Sequence, residues 1–482
     1  MIWLLNINAV DPGGVLRNIV VSSGEYHGTG VAWYPLIKQP GLYSDGLFAG
    51  DLLNVGRSGI GEATLINAGG MLDYLADWSV DGRDVVLQQF DGESVTDVWK
   101  GTASRLVYTR NEVQVRLRDP GARIDKPHPH EVFAGDNVLP DGLEGTEDDI
   151  KGQPKPKVYG DVRNASPALV NSSKLIYQVS SRYDCTVSAV YDAGSPLTPG
   201  TPYTSRPEMQ SVAPSAGEFR AYQGFCRLGD SPIGAVTVDA SSSQDLAGDV
   251  MEFIAYEAGI QVSHVDMNAL DAVGPIGIYL TDVSTTSAIF DRIAVSVGGY
   301  WRLAANGTVH IGFLSRPSSP VGTLLDYQIE SISRSATGSG DNGVPVWKVV
   351  VKADRVETTQ TNLTGSATDA RRSRLANKYR QSIAESQATL NRHPLSSEVM
   401  INSDIRSLTD AQAIADRLLA LVSVRRDRCT LVGRIDQTNN MDIGKTITVK
   451  TSKLGYSQGR DMMVIGRELN ARTGKITLDL WG

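Results

Sequence analysis

His128-Pro129-His130-Glu131 could donate ligands to a metal. Pro129 holds the segment extended, where alternate side chains diverge less than neighbours do. Zinc takes three or four ligands, and no further ligand at a recognisable spacing accompanies His128 and His130. A polar loop is the competing reading. Glu144-Gly145-Thr146-Glu147-Asp148-Asp149 could hold calcium, but a calcium loop alternates its carboxylates around a glycine and this run does not. A solvated acidic loop is its competing reading. The residues leave metal binding at His128/His130 and at 144–149 open.

Ile443-Gly444-Lys445-Thr446 has the ending of a phosphate-binding loop. The full motif needs a glycine five residues before its Gly-Lys pair, where Asn439 stands, and a helix to receive phosphate, where a strand follows. A strand-entry turn is expected instead. Gly56-Arg57-Ser58-Gly59-Ile60-Gly61 is glycine-rich with the wrong spacing for a dinucleotide loop. There is no G-x-S-x-G elbow, and spacing pairs none of the six histidines with a serine or cysteine. The chemistry therefore names no catalytic residue, cofactor or metal, and the expectation is a protein that is not an enzyme. Trp3, Trp33, Trp78, Trp99, Trp301, Trp347 and Trp481 read as core or interface anchors.

The totals agree with a folded, multidomain chain. It has 482 residues, which at ~100–200 per domain suggests about three to five domains. A net charge of −8 argues against gripping nucleic acid, which needs a basic face. Cys185, Cys226 and Cys429 are odd in number and far apart, so three buried free thiols are expected rather than a disulfide framework. The start, MIWLLNINAVDPGG, lacks a basic leader and reads as a first strand, not a signal peptide. No apolar run approaches the ~20 residues of a membrane helix.

The elements predicted are mainly β with α+β insertions. Residues 1–125 read as an N-terminal β domain, with strands at 84–90 and 111–118 and one short helix near Gly70–Leu75. In the second strand Val113, Val115 and Leu117 face a core. Residues 126–156, stiffened by prolines, read as a linker or surface loop, and 157–240 as a second β domain, with a loop or insertion at 195–215. Residues 241–320 form an α+β module. Its first helix follows a capping box at Ser241 and Gln244 and stops at Gly259; its second starts near Thr285. A hairpin then turns at Asn306-Gly307. Residues 321–482 read as a C-terminal β-barrel domain with one helix laid on it, capped by Thr409 and Gln412. Residues 364–392 are either a helix or an ordered excursion.

Several segments together resemble one family. Gly61–Leu87 (GEATLINAGGMLDYLADWSVDGRDVVL), Leu139–Val179, Leu408–Leu421 (LTDAQAIADRLLAL) and Gly459–Gly482 (GRDMMVIGRELNARTGKITLDLWG) are similar to baseplate hub, or tail-tip, proteins of long-tailed, siphovirus-like bacteriophages and gene transfer agents. The resemblance implies two tube-like β hub domains per subunit and a homotrimer whose six such domains adapt a sixfold tail tube to a threefold tip. It implies a virion location at the tail tip after assembly in the host cytoplasm. Its partners would be itself, the distal tail protein and tail tube on one side, and the central fibre and receptor-binding proteins on the other. DNA would pass without specific binding, and an acidic lumen would keep it mobile. Some relatives hold a cysteine-bound iron–sulfur cluster near the C-terminus; with Cys429 alone there, it is not carried over. A sixfold distal tail ring, a cell-wall-degrading enzyme and a receptor-binding adhesin remain alternatives.

Leu478, Leu480 and Trp481 place apolar residues in the last strand. Either they and Trp347 meet a neighbouring copy in a self-assembly interface, or the strand closes an ordinary hairpin whose Trp481 caps its own core.

Overall fold

A computed structural model describes residues 2–28, 30–48, 57–58, 61–118, 124–138, 140–303, 308–337, 344–435 and 441–482. The fold is mainly β and multidomain. Ile2–Val10 lies between Leu16–Ser22 and Asp84–Phe90, and Val95–Tyr108, Glu112–Arg118, Glu62–Ile66 and Ile37–Gln39 extend the sheet to seven strands. Alternation decides its inner face: Leu5, Ile7, Val85, Leu87, Val113, Val115 and Leu117 are buried. The sheet rolls up. The Ser22 amide at one edge donates to the Tyr34 carbonyl at 2.8 Å, and Tyr34 stands just before the other edge strand, Ile37–Gln39. The short helix expected near Gly70–Leu75 is two 3₁₀ turns, Ala68–Gly70 and Asp73–Asp77, which bury Leu75. Gly56, Gly59 and Ile60 of the Gly56–Gly61 run lie outside the described residues.

The C-terminal sheet runs Thr323–Leu325, Thr446–Lys450, Arg460–Asn470, Lys475–Trp481, Arg426–Arg434, Ile329–Thr337. Its outermost strands, Thr323–Leu325 and Ile329–Thr337, are joined by residues 326–328, a link that reaches roughly 14 Å at most. This sheet is therefore rolled as well. Leu42–Gly46 leaves the N-terminal sheet and pairs antiparallel with Arg460–Asn470, from Leu42 opposite Asn470 to Gly46 opposite Gly466. The crossing begins at Gly41, whose φ of 113° and closeness to the Tyr43 ring exclude a side chain. Tyr43, Leu47 and Phe48 are buried where the two domains meet.

Between them, two sheets of five strands carry residues 157–240, with Gly277–Leu280 from the next module completing one of them beside Lys157–Ala165. The 126–156 segment is irregular, as expected, yet it is a packed cover: Phe133 and Leu143 join Val170, Ile176, Tyr203, Met209 and Phe225 in a core of their own. The 195–215 stretch contains α1, Arg206–Ser211, capped by Ser205.

In the α+β module, α2 is Ala247–Ala258 and stops at Gly259 with φ 69°. Ser241 does not cap it, because Ser241 ends the strand Val236–Ser241. The carboxylate of Asp271 instead accepts from the Gly248 amide at 2.8 Å. Asp271 closes α3, His264–Asp271, a helix the pattern gave no sign of. The second predicted helix is α4, Thr286–Ser296, capped by Thr285. The strands Gly299–Leu303 and Thr308–Phe313 pair as a hairpin, but Asn306-Gly307 lies outside the described residues.

Residues 364–392 hold α5 (Asp369–Leu375), the strand Arg380–Glu385 and α6 (Gln387–Arg392). The predicted C-terminal helix is α7, Leu408–Val422. It packs on a separate three-stranded sheet of Arg380–Glu385, Lys348–Ala353 and Glu398–Asn402, not on the rolled sheet. Its cap is Ser407, which accepts from the Asp410 amide at 3.2 Å; Thr409 is already inside the first turn. Gln412 donates to the Ile383 carbonyl, tying the helix to that sheet.

Candidate functional site

The last strand is central in its sheet. Lys475–Trp481 pairs with Arg460–Asn470 on one side and Arg426–Arg434 on the other. Leu478, Leu480 and Trp481 are 0%, 0% and 1% exposed, and the Arg426 guanidinium lies over the Trp481 ring. The chain itself covers these three side chains. Trp347 keeps partial exposure beside Lys348, in the module that carries α7.

His128 is buried and His130 exposed, and their rings do not converge. The strand Pro127–His128 pairs with Ser284–Thr285 and turns His128 inward. His128 Nε2 is 2.8 Å from the Tyr159 hydroxyl, and His128 Nδ1 is 3.6 Å from Glu257, which also accepts from Lys157 Nζ at 3.0 Å. Burial, then the charges of Lys157, His130 and Arg182, push His128 down to about 3, so the ring is neutral. Glutamate, histidine and tyrosine in sequence form a proton relay on paper. Tyr159 at its end is wholly buried, and burial raises its hydroxyl. The polar-loop reading of His128 gives way to a buried polar cluster, and sequence spacing could not show it because Tyr159 and Glu257 are distant along the chain.

The acidic loop directs its carboxylates to local partners. Glu144 accepts from the Ala134 amide and pairs with Lys155 at 2.6 Å, Glu147 pairs with Lys151, and Asp149 accepts from Thr146. Among the described residues no three metal-ligating side chains converge. Gly444 turns into the strand Thr446–Lys450, which is the strand-entry reading; Asn439 lies outside the described residues. Cys185, Cys226 and Cys429 are free and buried, and burial raises all three thiols, Cys185 and Cys226 to about 12.

The densest cluster of charge was not anticipated. Lys348–Ala353 and Glu398–Asn402 run parallel, so both chains leave the sheet at the same end. Asp354-Arg355 follows one and Asp404-Ile405-Arg406 the other, and the pairing brings both aspartates together. Asp404 receives a two-pronged contact from Arg292 of α4 at 2.6 and 2.7 Å. Asp354 faces Arg406 at 3.0 Å and Arg374 at 3.2 Å, and Arg355 pairs with Glu357 at 2.9 Å. Both aspartates are 3% exposed. Burial raises Glu357 against the opposing pull of Arg355, and burial lowers Arg406. A cavity of about 350 Å³ adjoins the cluster, lined by Arg355 and Glu357, which pair with each other, and by Arg292, which pairs with Asp404. Chemically the arrangement is a lock between modules. The signal that could have found it is the pair of Asp-(x)-Arg steps just past two apolar strands.

No family model and no curated protein sequence matches the chain. Among solved structures it is similar to the tail protein from Neisseria meningitidis MC58, at 11% identity and TM-score 0.46, covering 100% of this chain and 96% of that one. It is similar to the 43 kDa tail protein of prophage MuSo2 from Shewanella oneidensis, at 11% identity and TM-score 0.45, covering 100% and 98%. A chain of a native gene transfer agent virion is similar at 13% identity and TM-score 0.44, over 69% of this chain and 84% of that one.

Proposed function

We propose that the chain is a structural virion protein, a baseplate hub at the tail tip that closes the distal end of the tail tube. The observation that carries this reading is the crossing strand Leu42–Gly46. It fixes two rolled sheets side by side in one subunit. Three such subunits about one axis present six rolled sheets, which is what a threefold component needs to meet a sixfold tube. The sequence resemblance at Gly61–Leu87 and Gly459–Gly482 falls in the same two domains. On this reading the partners are two further copies, the distal tail protein and tail tube above, and the central fibre and receptor-binding proteins below. DNA passes through the centre without specific binding. Trp347, of the four residues singled out for self-assembly, is the one with surface left for a second copy.

Mass photometry of the purified full chain tests the reading. Three subunit masses are the expected result, with averaged electron micrographs showing a threefold ring. Six masses would favour a distal tail ring. A monomer at high concentration that is also missing from tail tips would overturn it.

A further inference from the structure

Two surface patches leave apolar side chains in water, and their charges are opposite. The first surrounds the 3₁₀ turns of the N-terminal domain. Tyr34, Met71 and Tyr74 are 56%, 54% and 51% exposed, and the Tyr74 ring meets Trp78 edge-on at 5.3 Å. Asn67 fixes the turns: its Oδ1 accepts from the Leu72 amide and its Nδ2 donates to Asp73, both at 2.8 Å. Asp73 and Asp77 are exposed, and among the described residues neither forms an ion pair. Tyr108 beside them feels their charge. Burial, then Asp73, Tyr74 and Asp77, push its hydroxyl up to about 12. This patch is aromatic and acidic.

The second lies where three chain segments meet. The Val346 amide donates to the Val422 carbonyl, the Trp347 amide to the Ser397 carbonyl, and Thr389 Oγ1 to the Ser423 carbonyl. These bonds gather Trp347, Leu395 and Val424, the last two 75% and 48% exposed. Arg392 and Arg425 stand among them, exposed and, among the described residues, without an ion pair. Lys348 and Glu398 at the border answer each other at 3.3 Å. This patch is apolar and basic.

The charges say how such surfaces can be covered. Guanidinium groups stack on aromatic faces and pair with carboxylates, so each patch offers what the other lacks. A twofold contact of either patch with itself would set like charges together. A head-to-tail contact pairs opposites, and it closes into a ring when the rotation permits.

We propose that the patch at Tyr34, Met71 and Tyr74 of one copy docks onto the patch at Leu395, Val424 and Arg425 of a second copy. Asp73 and Asp77 then face Arg392 and Arg425. This docking rests on the trimer reading, to which it adds the surfaces.

Mass photometry over a dilution series of the full chain tests it. Wild type assembles as trimers. Asp77→Arg reverses a carboxylate that has no partner in its own fold. It raises the half-assembly concentration at least about tenfold, because each contact now opposes like charges, and it leaves the circular dichroism spectrum unchanged. Adding Asp73→Arg dissociates the trimer across the series. Adding Arg392→Glu and Arg425→Glu to that pair reverses both faces and restores trimers. An Asp77→Arg chain that assembles like wild type would overturn the docking and leave the trimer reading standing. So would a fourfold variant that is folded and stays monomeric. Wild-type monomers throughout would remove the trimer reading and the docking together.

Discussion

Two junctions of this molecule lean on different materials. The N- and C-terminal domains meet along a backbone ladder, Leu42–Gly46 against Arg460–Asn470, with Tyr43 and Leu47 buried behind it. The joint between α4 and the sheet of Lys348–Ala353 adds side-chain charge to its backbone contacts, with Asp354 and Asp404 enclosed among Arg292, Arg355, Arg374 and Arg406. A ladder spreads its stabilisation over many backbone groups and tolerates changes of side chain. An enclosed charge cluster concentrates it, because its two aspartates have given up water and rely on their arginine partners. The ladder suits a seam that must hold a fixed geometry. The cluster suits a joint whose partners must be these residues and no others.

The comparison breaks most visibly at Asp404. Asp404→Ala leaves the half-buried Arg292 without its two-pronged partner and removes the acceptor of Ser296 Oγ. The expected cost is about 2–3 kcal/mol, the loss of charge-assisted hydrogen bonds to a group that keeps some water. A denaturant titration should show the middle modules melting early while the rolled sheets persist. Replacing both partners, as Arg292→Met with Asp404→Leu, recovers much of the loss. A double variant as unstable as the single one would refute the charge argument.

At the ladder, a side-chain change costs less. Tyr43→Phe deletes the hydroxyl that donates to the Pro40 carbonyl at 2.6 Å and keeps the ring against Trp99. The expected loss is about 1 kcal/mol, one buried hydrogen bond. Hydrogen exchange should place it at residues 42–46 and 466–470 and leave Asp404's surroundings unchanged. A loss as large as that at Asp404 would remove the distinction between the junctions.

The same contrast explains what the sequence made legible. Strands with strict alternation, such as Glu112–Arg118, and helices with a full apolar stripe, such as α4 and α7, could be read because their burial follows a local period. α3 could not: only Met267 and Leu270 face inward, too few to make a stripe. The two misassigned helix caps share a cause. A capping residue is defined by where the backbone turns, and Ser241 and Thr409 sit in a strand and a first helical turn instead. The crossing strand, Leu-Tyr-Ser-Asp-Gly, ends in a turn-like Asp-Gly and finds its partner more than 400 residues away. Nothing local marks it. The charge cluster likewise exists only because two strands happen to run parallel. Leu478 and Leu480 show the reverse case: their alternation in the last strand is local and legible, and it puts them on the inward face of the rolled sheet.

The smallest effect lies where the two kinds of junction overlap. Asp45 belongs to the ladder, opposite Arg467, and is half-buried. Burial raises its carboxyl from 3.8 to about 6, against the opposing charges of Arg302 and Arg467. The folded seam therefore keeps a proton that the unfolded chain has already released between pH 3.8 and about 6. Stability falls as pH rises through that window and levels off above it. Partial exposure lets solvent screen the effect, so it should be a gentle slope in melting temperature rather than a collapse. Asp45→Asn cannot release the proton and should flatten that slope between pH 4 and pH 7, with Asp404→Ala in the same series keeping it. An identical slope in wild type and Asp45→Asn would mean that the protonation of Asp45 contributes nothing to the seam.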